Sequence, residues 1–349
     1  MTKAVFSKFP SIEQFRNVVQ NVSARSNYVG KDENGEAIYD HTREKPTITF
    51  IETIKIHGTN AGFTLTKTGE VAAQSRSRLL SLESDNNGFY AWVMNSQRKE
   101  ELVNTISNFI NFDKVKQVTV FGEFAGESIQ KGVAVSQLPK SFYVFAVQVM
   151  YDDETVEWLP IDTIKFFENK DVNIYNVLMF PTRKIDIDFN TPENYVNDLV
   201  DRATRIGDSC LVGEYFGIQD KTGEGVVLRS INSPDGHTYL FKVKDDRHSN
   251  SKVAKLSKVD QIAIKNTKEF VENVVTENRL EQGLEWIKNE MMLPLEMKSL
   301  GAYIKWVTED TIKEEKDIII EKQLDFSKVK KEIGNVARKF YIQRINTNL

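Results

Sequence analysis

Lys55-Ile56-His57-Gly58-Thr59-Asn60 is the stretch of this sequence whose residue types most invite chemistry. It follows an apolar, strand-like run containing Ile48, Phe50 and Ile51, so a rigid element carries the lysine into the space that a glycine turn encloses. An unprotonated amine there is a nucleophile, and burial or neighbouring cations favour that form. Taken alone, a lysine before a turn is most often a surface residue. Three further features accompany it. Phe121-Gly122-Glu123-Phe124 sets a carboxylate inside an apolar strand, where an unpaired charge is costly. Glu224-Gly225-Val226-Val227-Leu228-Arg229 does the same after a glycine-containing turn. Phe241-Lys242-Val243-Lys244 puts two lysines two apart, hence on one strand face. Two adjacent cations repel unless they share an anion, and a phosphate chain is a natural one. A salt bridge explains any one of these carboxylates, and a solvated face explains the lysine pair. The four features together, in this order, are much harder to assign to chance.

The hydrophobic pattern supplies the elements that must position these groups. From Ile48 to about Glu70 the apolar residues are β-branched or aromatic and broken by Gly58, Gly62 and Gly69, which predicts strands and turns. Strand patterns return at Val118–Phe124, Phe142–Tyr151, Gly225–Leu228 and Tyr239–Val243. Helical spacing appears over 86–112 (Phe89, Trp92, Val93, Leu102, Ile106, Ile110), and a helix capped by Thr191 is expected over 191–206. Near the N-terminus, Ser11 followed by Gln14 has the form of a capping box, and Ile12, Phe15, Val19 and Val22 predict a helix over 11–22. Asn27 to Pro46 is polar and reads as a loop or a short hairpin around Asn34-Gly35. After about Arg247 the pattern changes to long charged-amphipathic runs, interrupted at Pro294 and Gly301. Leu280, Leu284 and Ile287 form one apolar stripe there, and Ile304, Val307 and Ile312 suggest another. The reading is an α+β domain over 1–248 and an all-α domain over 249–349, joined through the polar Asp245–Asn250 stretch.

Composition bounds the function classes. A chain of 349 residues, 40% hydrophobic and 28% charged, has room for two domains with real cores, and is not disordered, collagenous or a lone coiled coil. The single Cys210 excludes an intrachain disulfide framework and a cysteine zinc cluster; it reads as a small buried residue. No run approaches the ~20 apolar residues of a membrane span. The longest, Phe142 to Met150, is interrupted by Gln148, and no apolar segment of a secretory signal follows the N-terminus. A soluble, cytoplasmic protein is expected. The net charge of -4 argues against a uniformly basic nucleic-acid coat and leaves room for a local basic groove. His41, His237 and His248 lie in polar text without ligand-like spacing, and Trp92, Trp158, Trp286 and Trp306 read as core anchors.

KIHGTN, FGEFAG, FYVFAV, EGVVLR and FKVK, in that order, resemble motifs I, III, IIIa, IV and V of the covalent nucleotidyltransferases, which include ATP-dependent ligases and mRNA capping enzymes. The histidine of K-x-H-G followed by T-N is similar to the double-strand-type RNA ligases of phages and the RNA-editing ligases of kinetoplastids. Val275-Thr276-Glu277-Asn278-Arg279-Leu280 and the later Gly301-to-Asp310 helix look like their C-terminal helical domain, so the resemblance covers most of the chain, with 27–46 the clearest insertion. It implies an adenylyltransferase domain, ATP-grasp-like, of antiparallel sheets flanked by helices. It further implies an ATP-dependent RNA ligase that joins 3′-hydroxyl and 5′-phosphate ends, at nicks in duplex RNA, through a lysyl-AMP intermediate. Lys55 would be the nucleophile. His57, Gly58, Thr59 and Asn60 would shape the nucleotide pocket, and Arg76, with Arg78 as a competing alignment, would contact phosphate. Glu123 would hold the ribose or support a metal, Phe145 would stack on adenine, Glu224 would engage the metal, and Lys242 and Lys244 would neutralise phosphates. ATP as AMP donor, magnesium or manganese, and RNA ends are the implied cofactors and partner, with no membrane and a monomeric state. Two positions depart from the family: Ala146 where an aspartate commonly follows the motif IIIa aromatic, and Ile54 where several members have an acid, Glu52 lying three residues before Lys55. A DNA ligase, a capping-type guanylyltransferase or a non-catalytic RNA-binding relative are the competing readings. Lys328, Lys330, Lys331, Arg338, Lys339 and Arg344 make the C-terminal helices locally basic, either as a solvated face or as an RNA-backbone contact.

Overall fold

The computed structural model describes residues 3–218, 222–248 and 266–347. The chain divides into two compact units, Met1–Asp245 and Asp246–Leu349. Residues 249–265, which hold the end of the expected linker and the start of the expected helical domain, lie outside the described residues.

The first unit is α+β. In chain order it runs β1 (Glu13–Gln14), α1 (Phe15–Asn27), β2 (Tyr28–Lys31), β3 (Ala37–Tyr39), β4 (Thr47–Ile54), β5 (Thr59–Thr66), β6 (Val71–Ser75), α2 (Phe89–Val93) and α3 (Ser96–Phe109). There follow β7 (Val115–Ala125), β8 (Ser141–Tyr151), β9 (Val156–Trp158), β10 (Ile174–Asn176), β11 (Arg183–Asp188), α4 (Val196–Asp208), α5 (Leu211–Tyr215), β12 (Gly225–Asn232) and β13 (Leu240–Lys244). One sheet has the order β1-β13-β12-β4-β11, and a second has β10-β8-β7-β5-β6 with β9 also on β8. Pairing is antiparallel except for β1 with β13 and β10 with β8. Strand β4 lies inside the first sheet and β5 inside the second, so Lys55 to Gly58 are the four residues on which the chain crosses between sheets. The sequence motif is therefore a crossover held at both ends by buried strands.

Several local expectations need correction. The N-terminal helix is Phe15–Asn27, not 11–22, because Glu13 and Gln14 pair with Phe241 and Lys242 at the sheet edge. Ser11 and Gln14 thus precede the helix instead of capping it as a box, and its buried face is Phe15, Val18 and Val22. Those rings and methyls pack on the sheet, with Phe15 5.1 Å from Phe241; burial of each such side chain contributes about 1.5–3 kcal/mol. The pattern over 86–112 is two helices, the second capped by the Asn95 side chain, which accepts from the Gln97 N–H. Thr191 caps no α-helix: a 3-10 turn at Pro192–Tyr195 comes first and α4 starts at Val196. Around Asn34-Gly35, β2 and β3 do form a hairpin.

The second unit is helical: α6 (Thr267–Val274), α7 (Glu277–Glu285), α8 (Leu300–Glu321) and α9 (Phe326–Thr347), with a π-helical turn at Trp286–Glu290. Leu280, Leu284 and Ile287 are buried in its core with Val307, while Ile304 and Ile312 pack against it half-buried. Tyr303 and Tyr341 pack with ring centroids 4.9 Å apart and planes tilted by 40°, and their hydroxyls donate to the carbonyls of Leu280 and Glu296. Arg279 is wholly buried and ties α7 to α8 through Glu314 at 2.9 Å and Asp310 at 3.3 Å. Among the described residues, no helix is long and apolar enough to cross a membrane.

Candidate active site

Lys55 leaves β4 with its N–H donating to the carbonyl of Gly225 at 2.9 Å, which fixes its position opposite the start of β12. Gly225 adopts φ +142°, and a Cβ there would lie 2.2 Å from the Val243 carbonyl oxygen, so only glycine permits this approach. The neighbouring Glu224 is 2% exposed and is the centre of a cation cluster. Its Oε2 accepts from Lys55 Nζ at 2.7 Å and lies 3.2 Å from His57 Nδ1, and its Oε1 meets Lys244 Nζ at 2.8 Å. Burial alone would raise the Glu224 carboxyl, but Lys244, Lys55 and His57 outweigh it and hold it well below the usual carboxylate range.

Glu123 behaves in the opposite way. Burial pushes it up to about 7, against the attraction of Lys55 and with the repulsion of Glu224. Its Oε1 accepts the Gly58 N–H at 3.1 Å. A Cβ on Gly58 would lie 2.4 Å from the Phe124 carbonyl oxygen, so the turn closes against β7 only with glycine. Thr59 and Asn60 then open β5, where they pair with Phe124 and Glu123. Thr59 Oγ1 accepts from the Asn86 side chain at 3.2 Å. Asn60 Oδ1 is buried and makes no hydrogen bond.

A cavity of about 580 Å³ opens beside this cluster, walled by Thr53 to Ile56, Val227 and Arg229 from the first sheet and by Glu123, Phe145 and Ala146 from the second. That volume suits a nucleoside-sized ligand. Phe145 reaches it through a β-bulge: Phe121 pairs with Ala146 and Gly122 with Val144, which leaves Phe145 unpaired and turned. Its ring meets Phe9 edge-on at 4.9 Å. Trp158 lines the cavity as well, 5.3 Å from Phe9, and so is more than a core anchor. His237 also lies in the cavity wall, while remaining exposed.

The structure brings together Lys55, His57, Gly58, Glu123, Glu224 and Lys244. Lys242 lies two residues before Lys244, opposite Val227 and Gln14. Arg76 is exposed just past β6, whereas the Arg78 guanidinium donates to the carbonyls of Ser84 at 2.6 Å and Asp85 at 3.3 Å, which folds the following loop. Glu52 is on the far face of β4, with both oxygens engaged by Arg183 at 2.9 Å and Arg202 at 2.7 Å. Cys210 is buried, and burial pushes its thiol up.

Sequence reasoning missed Arg229. It shares the cavity face of β12 with Val227, donates to the Leu159 carbonyl at 3.2 Å, and burial pulls its guanidinium pKa down without a carboxylate to oppose it. Its place two residues after Val227 on one strand was the available signal. Phe9 and Ile12 were missed as cavity residues too, Ile12 having been read as part of the apolar face of a helix over 11–22.

A family model described as RNA ligase matches residues 48–244, more than half of the chain and the whole of this cluster. The chain belongs to the RNA ligase family. Among solved structures it is similar to an RNA ligase of Naegleria gruberi with PPi, at 16% identity over 69% of this chain and 56% of that one, with a TM-score of 0.43. A mutant of that enzyme with ATP and Mn matches at 14% identity, the same coverage and a TM-score of 0.43, and one with AMP and Mn at 14% and 0.41. This RNA ligase family member thus spans 56% of the length of those chains. No curated protein matches it.

The residues present accommodate a divalent cation in part. Both oxygens of Glu224 are occupied by cations, and among the described residues no group of three or more His, Cys, Asp or Glu is arranged around a metal position. Glu123 and the unpartnered Asn60 Oδ1, paired across β5 and β7, are the oxygens suited to one. Magnesium commonly takes one or two carboxylates and completes its shell with substrate phosphates, which fits so sparse a set.

Proposed function

We propose that this chain is an ATP-dependent RNA ligase that works through a lysyl-AMP intermediate. The observation that carries the reading is Lys55 at a sheet-to-sheet crossover, held 2.7 Å from a buried carboxylate at the edge of a nucleoside-sized cavity. Glu224 holds the resting ammonium in position. Attack needs the neutral amine, so the Lys55 ammonium loses one proton to water. Its N–P bond to the α-phosphorus then forms as the P–O bond to pyrophosphate breaks, and the nitrogen loses a second proton to water to leave the phosphoramidate. AMP then passes to an RNA 5′-phosphate, and a 3′-hydroxyl displaces it to leave the phosphodiester. In-line attack at phosphorus leaves the protein mainly alignment and charge neutralisation to supply, and lysines with carboxylates suit that task better than a Ser-His-Asp set. Lys244 and Lys242 offset phosphate charge as Glu224 gives up Lys55. Phe145, Trp158 and Phe9 hold the base, Arg229 donates to its acceptor atoms, and Asn60 and Arg76 serve phosphates. Glu123 with Asn60 would hold magnesium or manganese, which would neutralise charge on the transferring phosphates.

Duplex RNA with a nick is the proposed substrate, recognised by shape, phosphates and 2′-hydroxyls, and the proposed acting form is a monomer. The test is sealing of a nicked RNA duplex with ATP and magnesium, beside nicked DNA and beside GTP in place of ATP. Sealed RNA with a transient adenylated 5′ end is expected. Preference for nicked DNA, or label taken from GTP alone, would overturn the assignment.

A further inference from the structure

Helix α9 carries four lysines, two arginines and a single acid, Glu332, in a chain whose net charge is -4. Lys330 and Arg344 fall on the side of the core, and the other four cations share the outer side. Val329, Ile333, Ala337 and Tyr341 face the core of the second unit. At 3.6 residues per turn, Lys328, Lys331, Arg338 and Lys339 all fall on the opposite side, within an arc of about 100°. All four are exposed. Among the described residues none of them is in an ion pair, whereas Arg344 is taken by Glu277 and Glu281 and Lys305 has Glu309 one turn on. Lys328 and Lys331 are one turn apart, and like charges at that spacing destabilise a helix unless an anion lies between them. The four span about 16 Å along the axis, with about 13 Å between the centres of the two pairs. The face therefore presents a row of four cations in no ion pair among the described residues, with Glu332 at its edge bonded to the Asn335 side chain, long enough to meet several phosphates in succession.

We propose that this face of α9 binds the sugar-phosphate backbone of duplex RNA. The proposal rests on the RNA-ligase reading for its choice of polyanion. Flexible lysines without aromatic neighbours on the arc suit phosphates and do not read bases.

The test is RNA affinity of the full chain with Lys328→Ala, Lys331→Ala, Arg338→Ala and Lys339→Ala combined, measured by anisotropy on a nicked RNA duplex between 50 and 200 mM salt. Alanine is the best helix former, so the helix should persist; circular dichroism checks this, and a Gln set at the same positions replaces it if the helix is lost. Each neutralised phosphate contributes about 0.9 to the slope of log affinity against log salt, so the variant should lose about 3–4 in slope, and its deficit should shrink about 10²-fold over this range. Replacing the three lysines by arginine should preserve wild-type affinity. AMP transfer to the protein from ATP without RNA should be unchanged in every variant; its absence from wild type would defeat the ligase reading while leaving the affinity comparison intact. Wild-type affinity and slope in the quadruple variant would overturn the proposal and leave an acidic protein as the occupant of the face. A deficit that stays constant with salt would overturn it as well.

Discussion

Replacing Glu224 with glutamine removes the anion on which, among the described residues, Lys55, Lys244 and His57 converge, while keeping its size. Removing one partner of a buried ion pair costs about 3–5 kcal/mol. The two lysine side chains remain 18% and 12% exposed and regain some hydration, so about 2–3 kcal/mol is the expected loss at neutral pH. For a unit the size of Met1–Asp245, that is a fall of roughly 5–10 °C in Tm. The sign of the pH dependence follows from the depressed Glu224 carboxyl. Its stabilisation is fully present above the unfolded carboxyl pKa of about 4.3 and is lost as pH falls through the lower folded value. The gap between wild type and variant should therefore be widest at neutral pH and close progressively in acid. Thermal unfolding of both proteins from pH 7 down to pH 3 measures it. Equal stability at pH 7 would refute Glu224 as the counter-ion of the cluster. A more stable variant would show instead a lone carboxylate relieved of repulsion, the behaviour expected of a vacant metal ligand.

Gly58→Ala should abolish adduct formation, because its Cβ meets the Phe124 carbonyl oxygen at 2.4 Å and β7 backbone must shift; adenylation at the wild-type rate would show that the turn is loose. Arg229→Ala should raise the KM for ATP by about 10- to 100-fold, the worth of a hydrogen bond from a charged donor, with little change in Tm; an unchanged KM would remove Arg229 from the base pocket. A 1–248 fragment should stay folded and hold nucleotide but seal a pre-adenylated nick poorly, as circular dichroism, nucleotide binding and sealing would report. Full-rate sealing by that fragment would show that the helical unit is dispensable for joining.

The cluster was legible in the sequence where it depended on order along the chain. Lys55, His57 and Gly58 lie between two strongly patterned strands, and Glu123, Glu224 and Lys244 each sit in or beside a strand whose register follows from its alternation. What each charge meets was not legible. The resemblance assigned Glu224 to a metal, and only the pairing of β4, β12 and β13 shows three cations already around it. Phe145 was identified, yet the bulge that turns it toward the cavity has no signature in FYVFAV. The N-terminal helix was misplaced because Ser11 and Gln14 satisfy a local capping pattern, while the partner that claims Gln14 is Lys242, far along the chain. Local propensity lost there to a distant sheet edge.

The central claim is that Lys55 carries the nucleotide. Incubation with α-labelled ATP and magnesium, followed by denaturing electrophoresis and peptide mapping, tests it most directly. The account predicts one AMP per chain on Lys55, released as AMP in acid as a phosphoramidate would be, and no label on Lys55→Ala. Full labelling of Lys55→Ala, or an adduct mapped to Lys242 or Lys244, would contradict it.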